Sequence, residues 1–269
     1  MLLVGSAAVV LWTLSCDPPD REATSEEATP EAIVPPGSTV VTLGFADGLQ
    51  TQTRAAALLD KHGLRGTFYV NSGRIGRSGY LSVSTLRSFA SAGHEIAGHT
   101  MNHVNLTQVS MSAAIREVCD DRAALLELGF PVTSFEYPFL ATSDTARQIV
   151  ISCNYNNARA GGLQNPFSCD GCPLSESIPP LDAFRIRIPG SVTGSYDLAD
   201  LQSLVIQVES SGGGWMSLGM HKICAAGESC TGQYDIQEAL LDQFLAWLAP
   251  RSSRGTYVMT THQVVGGAP

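Results

Sequence analysis

Short runs of apolar residues alternate with amphipathic segments along the chain from residue 38 onward. The runs at 39–45 (TVVTLGF), 66–70 (GTFYV) and 215–220 (WMSLGM) are rich in β-branched and aromatic residues, which predicts strands. Segments 51–63 and 111–129 carry apolar residues at helical spacing and end in glycine, which predicts helices. The same criteria predict further strands at 94–99, 133–139, 184–188 and 256–260, further helices at 82–93, 143–153, 197–212 and 236–250, and a loop-rich stretch at 160–182. The regular alternation predicts an α/β fold, a distorted (β/α) barrel of about seven parallel strands.

The first 37 residues differ in composition from the rest. Residues 1–16 (MLLVGSAAVVLWTLSC) form an apolar run of the length of an export signal, too short for a comfortable membrane span. Either Cys16 becomes a lipid-modified first residue that anchors the protein to a membrane, or the protein is simply secreted. Residues 17–37 are rich in charge and proline, which predicts a disordered acidic linker and leaves 38–269 as the folded domain. We therefore expect a secreted or cell-envelope location.

The charge of the chain argues against one class of partner. The net charge is −9, with 25 acidic and 16 basic residues, and the acidic linker contributes −5 of it (six acidic residues and Arg21). A domain without a basic stripe cannot neutralise a phosphate backbone, so nucleic acid is excluded as a partner. The 44% hydrophobic content is sufficient for one packed core. We expect a monomer that acts on a neutral substrate.

Cysteine usage in the folded domain predicts disulfides. Six cysteines follow Cys16: Cys119, Cys153, Cys169, Cys172, Cys224 and Cys230. An even number behind an export signal favours disulfides, although spacing alone leaves several pairings open. We predict the pairs Cys119–Cys153, Cys169–Cys172 and Cys224–Cys230. The stretch CDGC (169–172) is similar to half of a zinc knuckle or to a redox motif, but no second closely spaced pair completes a zinc site, which favours the disulfide.

Four side chains with potential chemistry fall at or just beyond the ends of predicted strands, namely Asp47, His99, Glu136 and His221. Since the carboxyl ends of parallel strands meet at one edge of a barrel, we expect them to lie close together. His99 and His103 are four residues apart, a spacing that puts both imidazoles on one face of a helical turn, where they can share a metal ion. Asp47 completes a set of two histidines and a carboxylate, as catalytic Zn²⁺ requires. Ferrous iron is the alternative occupant, but its oxygenases usually have an all-β order of elements.

The order of four motifs resembles that of a known family. The stretches GFADG, HTMNH, FEYPF and WMSLGMH are similar to four motifs of the NodB-homology polysaccharide deacetylases, carbohydrate esterase family four. Their counterparts are TFDDG, H-[ST]-x-x-H, FRPPYG or FAYPYG, and a final strand ending in histidine. The resemblance covers residues 38–265, and two flanking stretches are similar to secreted bacterial members.

The resemblance implies removal of acetyl groups from N- or O-acetylated polysaccharide. Asp47, His99 and His103 would hold a divalent metal, with Zn²⁺ the first choice, that activates water for attack on the acetyl carbonyl. His221 would act as the general acid, and the backbone N–H of Phe139 would meet the developing oxyanion.

Two departures from the family motifs affect the implied chemistry. In TFDDG the first Asp is the general base, whereas this chain has Ala46. In one branch of the family an Arg pairs with that base, and Glu136 stands in its place. We hypothesise that Glu136 partly substitutes as the base. The alternative is that Glu136 points to solvent or to a nearby Arg, and that the enzyme is weak or inactive.

Further positions bear on the shape of the cleft. Gly44 and Leu140 stand where Thr and Gly are usual in the family. Because a branched side chain disfavours a positive φ, we expect the turn after Phe139 to differ from that of the family. Arg159 is a candidate for orienting a carboxylate in the cleft or for binding substrate, with a surface salt bridge as the alternative. Tyr80 and Phe139 are candidates for stacking on sugar rings.

Three functions are consistent with these features. The first is a metal-dependent polysaccharide deacetylase with reduced activity. The second is a catalytically silent carbohydrate- or peptidoglycan-binding protein that keeps the deacetylase fold, and the third is a structural lipoprotein whose histidine pair is accidental. Retention of the whole set Asp47, His99, His103 and His221 favours the enzyme.

Overall fold

The structure is a computed structural model that describes residues 34–164 and 171–269. The predicted export signal, Cys16 and most of the acidic linker lie outside the described residues. The same holds for Cys169, and with it for the predicted Cys169–Cys172 disulfide.

A curled parallel sheet forms the centre of the protein. The described residues form ten strands: β1 (Thr39–Phe45), β2 (Thr67–Val70), β3 (Glu95–Gly98), β4 (Ser134–Glu136), β5 (Asn157–Gly161), β6 (Ile186–Ile188), β7 (Gly214–Met220), β8 (Lys222–Cys224), β9 (Asp235–Gln237) and β10 (Thr256–Val258). All strand pairings among them are parallel. This confirms the predicted α/β class.

Strand β1 holds the sheet together, and all of its residues are buried. One edge of β1 pairs with β7 along its whole length, whereas β10 and β2 pair with its first and last residues. The sheet continues from β2 through β3, β4 and β5 to β6. A parallel bridge between Ser191, after β6, and Gly219 of β7 brings the two ends of the sheet together. The sheet therefore curls into an incomplete barrel, as the sequence predicts.

Helices surround the barrel. The described residues form seven helices: α1 (Gln52–Lys61), α2 (Val83–Ser91), α3 (Met111–Glu127), α4 (Asp144–Ser152), α5 (Leu198–Ser210), α6 (Glu238–Leu248) and α7 (Thr261–Val265). Serine begins three of them, because the side chains of Ser82, Ser110 and Ser143 each accept a hydrogen bond from the N–H three residues later. None of these helices combines the length and the apolar character needed to cross a membrane.

Strand β5 is the main element that the sequence pattern does not predict. Its sequence, NARAG, contains residues that are uncommon in strands, and its end overlaps the predicted loop at 160–182. Four of its five residues are nevertheless buried in the barrel wall, so tertiary packing overrides local preference. The strands β8 and β9 and helix α7 also lack a sequence signal, because each is too short to show a period.

Two of the predicted disulfides are present. Cys119 of α3 is bonded to Cys153, which follows α4, with their Cα atoms 4.9 Å apart. Cys224 of β8 is bonded to Cys230, with their Cα atoms 5.8 Å apart. The first bond joins two helices, and the second closes a short loop.

We expect the Cys119–Cys153 bond to contribute more stability than the Cys224–Cys230 bond. Their sequence separations are 34 and 6 residues, for which loop-closure entropy gives about 4 and about 2 kcal/mol respectively. The free energies of unfolding of the Cys119→Ser/Cys153→Ser and Cys224→Ser/Cys230→Ser variants in urea measure the difference. A larger loss for the second variant would contradict the expectation.

Candidate active site

A pocket opens at the carboxyl ends of the barrel strands. Its volume is about 380 Å³, and it is lined by Asp47, His99, His103, Glu136, Phe139, Leu140, Pro189, Gly190, Ser191, Thr193, Tyr196, His221, Gln233 and Tyr234. Asp47 follows β1, His99 follows β3, Glu136 ends β4 and His221 follows β7. The structure thus brings together the strand-end side chains that the sequence singles out.

Asp47, His99 and His103 form a compact cluster of ligand atoms. Asp47 Oδ1 lies 3.5 Å from His99 Nε2 and 3.2 Å from His103 Nε2. One ligand atom from each residue lies within 4.8 Å of those from the other two. Two imidazole nitrogens and one carboxylate oxygen are the donor set that Zn²⁺ accepts in catalytic sites.

The hydrogen bonding of the cluster fits a cation. His99 Nδ1 lies 2.8 Å from the backbone carbonyl of Glu136, so the ring donates its proton there and presents the Nε2 lone pair to Asp47. Asp47 Oδ1 is buried and has no well-aligned hydrogen bond within the described residues. Electron pairs from three side chains therefore face one another, and a divalent ion between them would satisfy all three.

The pKa values follow from burial and from mutual attraction. Burial alone would raise the pKa of Asp47, but His99, His103 and His221 hold it well below its usual value. Burial would lower the pKa of His99, but the carboxylates of Asp47 and Glu136 raise it. Burial and the neighbouring His99 lower the pKa of His103 to about 4. The cluster therefore favours an anionic Asp47 beside a neutral His103.

The two histidines are brought together by a loop and not by a helical turn. Thr100 and His103 have φ angles of 62° and 61°, in the left-handed region, and Asp47 has a φ of 76°. The expectation that residues 99–103 form a helical turn is therefore wrong. Residues other than glycine in this region are strained, which is common where surrounding structure fixes a functional group.

Asp121 positions this loop from behind. It lies on α3, fully buried, and accepts hydrogen bonds from the backbone N–H groups of His99, at 3.2 Å, and Ser72, at 2.9 Å. Burial raises the pKa of Asp121 to about 6. No sequence motif marks Asp121, but a weaker signal is present, because Asp121 lies on the same helical stripe as the buried Val118 and Leu125.

Glu136 and Arg159 form an ion pair inside the barrel. Arg159 Nη2 lies 2.9 Å from Glu136 Oε1, and both side chains are buried. The second carboxylate oxygen, Oε2, has no hydrogen-bond partner among the described residues and lies 3.8 Å from His99 Nδ1. The guanidinium also lies over the Tyr69 ring at 4.1 Å. Arg159 is fully enclosed, so it is placed to orient a carboxylate and not to contact substrate or form a surface salt bridge.

The space that Arg159 occupies depends on Gly44. A Cβ atom built at Gly44 would lie 2.1 Å from Arg159 Nη1, so any larger residue there would displace the guanidinium. The position of Arg159 therefore explains why residue 44 is Gly and not the Thr that is usual in the family. The neighbouring Ala46 is buried and offers no acidic group, and its carbonyl accepts a hydrogen bond from Gln52 Nε2 at 2.5 Å.

The remaining predicted residues differ in their placement. Phe139 is 64% exposed, and its ring centroid lies 4.6 Å from that of His103. Phe139 and Leu140 have φ angles of 60° and 56°, so the branched side chain of Leu140 does not keep its backbone out of the left-handed region. That this turn differs from the turn of the family stays a prediction. Tyr80 lies outside the pocket lining, with its ring 5.5 Å from the Arg74 guanidinium. His221 lines the pocket, and its buried Nδ1 has no hydrogen-bond partner among the described residues.

The fold and the cluster of ligand atoms define an α/β barrel with a candidate metal centre. The sequence profile of the polysaccharide deacetylase family matches residues 34–158. This match extends over somewhat less than half of the chain and makes that part similar to the polysaccharide deacetylases.

Known proteins share parts of the sequence and the fold. A probable peptidoglycan-N-acetylglucosamine deacetylase of Arthroderma benhamiae is 29% identical over 140 residues, which are 48% of this chain and 32% of that protein. The matched region thus spans about a third of the relative's length. The family 4 acetyl xylan esterase of Clostridium thermocellum, solved with a cobalt ion, has a TM-score of 0.55 at 20% identity, over 84% of this chain and 90% of that one. A family 4 carbohydrate esterase of Streptomyces lividans, solved with acetate, has a TM-score of 0.55 at 16% identity, over 87% and 98%. At these identities the structural likeness shows the fold alone.

We expect the pocket to bind one Zn²⁺ ion per chain and to be stabilised by it, since an ion that binds only the folded state raises the free energy of unfolding. Titration calorimetry and the shift in Tm on adding zinc measure both effects. His103→Ala should weaken binding at least about tenfold, because one of three protein ligands is lost.

His62→Ala is the matched control. His62 pairs with Asp242 at 2.7 Å, at the end of α1. Equal zinc affinity of the wild type and the His103 variant would overturn the assignment of the ligands.

Proposed function

We propose that the protein is a metal-dependent hydrolase that removes acetyl groups from N- or O-acetylated polysaccharide, such as a chitin-, peptidoglycan- or xylan-like polymer. One observation carries the proposal, namely that Asp47, His99 and His103 converge in a pocket that His221 and Glu136 also line. The match of residues 34–158 to the polysaccharide deacetylase family supports the reaction class. The partly aromatic lining, with Phe139, Tyr196 and Tyr234, suits a sugar ring.

Asp47, His99 and His103 are the proposed ligands of a divalent ion, with Zn²⁺ the best match to the donor set. Such an ion would supply Lewis acidity towards the acetyl carbonyl and towards water. The backbone N–H of Phe139 is the proposed donor to the developing oxyanion, beside His103.

His221 is the proposed general acid. It follows β7 and lines the pocket, and its backbone carbonyl accepts a hydrogen bond from Gln52 Nε2 at 3.3 Å. Its role is to protonate the leaving amine or alkoxide as the bond to the acetyl carbon breaks. The buried Nδ1 leaves Nε2 as the nitrogen that would deliver the proton.

Glu136 is the proposed base in place of the missing Asp at position 46. Arg159 holds Oε1, and Oε2 has no hydrogen-bond partner among the described residues, while Glu136 lines the pocket. A carboxylate that is fixed at one oxygen and free at the other can accept a proton from water without first breaking its ion pair. Arg159 is thus a positioning residue.

We expect zinc-dependent acetate release from at least one acetylated glycan. The protein is tested with added zinc and with a chelator on chitin oligosaccharides, peptidoglycan and acetylxylan. Release that the chelator abolishes and zinc restores supports the proposal. No release from any of these substrates by zinc-loaded protein would overturn the proposed activity.

We expect loss of Glu136 to lower turnover by roughly 10²–10⁴-fold, the range typical of a positioned base. Glu136→Gln alone would leave Arg159 buried without a counter-charge, which is strongly destabilising. The double variant Glu136→Gln/Arg159→Met removes both charges and is the better test. Zinc affinity and Tm report whether it still folds.

Ala46→Asp in the same double variant separates the two hypotheses about the base. Partial recovery of turnover indicates that the two carboxylate positions serve one role. The role of Glu136 as base is refuted if the double variant turns over at the wild-type rate. It is also refuted if the wild type is inactive and the single substitution Ala46→Asp makes it active.

A second candidate function is a silent glycan-binding protein. Ala46 favours this function, because it is buried at the position where the family usually has the general-base Asp and supplies no carboxylate. Binding of chitin oligosaccharides without acetate release would support this candidate.

We also propose that the protein acts outside the cytoplasm, secreted or attached to the cell envelope by a lipid on Cys16. The two disulfides among the described residues support an oxidising environment. No contact with membrane or nucleic acid beyond such an anchor is proposed, and the protein is proposed to act as a monomer.

A further inference from the structure

A second exposed aromatic ring lies in the pocket, and none of the sequence motifs accounts for it. Tyr234 lines the pocket and is 42% exposed. Its ring centroid lies 5.0 Å from that of His221, with the two planes 32° apart. Phe139 is placed similarly beside His103, so two exposed rings flank two different histidines of one pocket.

Tyr234 belongs to a segment inserted between β7 and α6. This segment, residues 222–237, contains the parallel pair β8 and β9 and the Cys224–Cys230 bond, and we call it the disulfide ribbon. Its apolar residues Ile223 and Ile236 are buried and fix the ribbon to the core. Tyr234 directly precedes β9, so the position of β9 determines where its ring lies.

Polar contacts fix the ribbon further. Arg54 Nη1 of α1 donates a hydrogen bond to the Ile223 carbonyl at 2.8 Å. Lys222 Nζ lies 3.1 Å from Asp235 Oδ2, which joins the two strands of the ribbon through their side chains. The N–H of Gly194, in the connection between β6 and α5, donates to the Gln233 carbonyl at 2.9 Å. Both sides of Tyr234 are therefore tied to the barrel.

We propose that Tyr234, held by the disulfide ribbon, is a sugar-stacking subsite that binds a pyranose ring next to the residue whose acetyl group is removed. This inference rests on the proposed function. An exposed phenol ring offers a flat apolar face for sugar C–H groups and a hydroxyl for a hydrogen bond, at little cost in side-chain entropy. The adjacent Gln233 side chain adds an amide donor and acceptor suited to sugar hydroxyls.

The location of the ring predicts which part of a substrate it serves. Because the ring lies against His221 and outside the cluster of ligand atoms, it is placed to contact a sugar ring of the substrate and not a metal ion. Tyr234 is therefore expected to distinguish substrates by the presence of a sugar ring beyond the acetylated one.

Calorimetric titration of the zinc-loaded full chain with chitin and xylan hexasaccharides tests the subsite. Tyr234→Ala is expected to weaken binding about tenfold, the value that corresponds to loss of one stacking contact. Tyr234→Phe keeps the ring and should bind within about twofold of the wild type.

The disulfides supply a matched pair of controls. Cys224→Ser/Cys230→Ser frees the ribbon and should weaken hexasaccharide binding, whereas Cys119→Ser/Cys153→Ser removes a bond between α3 and α4 and should leave it unchanged. Equal affinity of Tyr234→Ala and wild type overturns the subsite. Tighter binding by Tyr234→Ala also overturns it, because the ring would then obstruct the pocket.

The outcomes separate this inference from the proposed activity. Acetate release that persists while Tyr234→Ala binds as tightly as the wild type refutes the subsite alone. Binding that depends on Tyr234 without any acetate release refutes the hydrolase and leaves the subsite standing. A wild type that binds neither hexasaccharide refutes the subsite for both sugar classes.

Discussion

Three electron-pair donors that face one another define the centre of this protein. Asp47 Oδ1 and the Nε2 atoms of His99 and His103 would repel one another if each remained an acceptor, and a shared cation or proton removes that repulsion. Asp47 and His103 are held there in left-handed backbone conformations, which cost of order 1–3 kcal/mol each. The rigid strands β1 and β3 make this strain tolerable, because the loops that carry it begin at fixed, fully paired ends.

The buried pair of Glu136 and Arg159 links several departures from the family motifs into one arrangement. Two charges inside a barrel are stable only together, since the desolvation of either alone is strongly unfavourable. The guanidinium enters from β5 and fills the space above Gly44, and its charge balances the carboxylate on β4. The residues at positions 44, 136 and 159 thus depend on one another, and none of them can be interpreted from its own motif.

The barrel and the residues at its strand ends could be predicted from the sequence, because both follow from regular patterns. Parallel strands with alternating helices show their period, and strand ends converge in any barrel of this kind. Strand β5 could not be predicted, because Arg159 and its neighbours are buried there despite their low preference for strands. The helical turn predicted for His99 and His103 is wrong, because the spacing of two residues carries no information on the positive φ angles of Thr100 and His103. Tyr234 was missed since its ribbon has strands of only three residues.

The replacement at Ala46 changes the charge of the pocket as well as its proton chemistry. With a divalent ion in place, Asp47 and Glu136 contribute two negative charges and Arg159 one positive charge, which leaves the site with one net positive charge when the histidines are neutral. An aspartate at position 46 would cancel it. The excess charge attracts an oxyanion and an acetate product, and it lowers the proton affinity of any nearby base. The alanine at position 46 therefore favours stabilisation of negative charge and opposes proton removal, which is the balance expected of the proposed hydrolase with reduced activity.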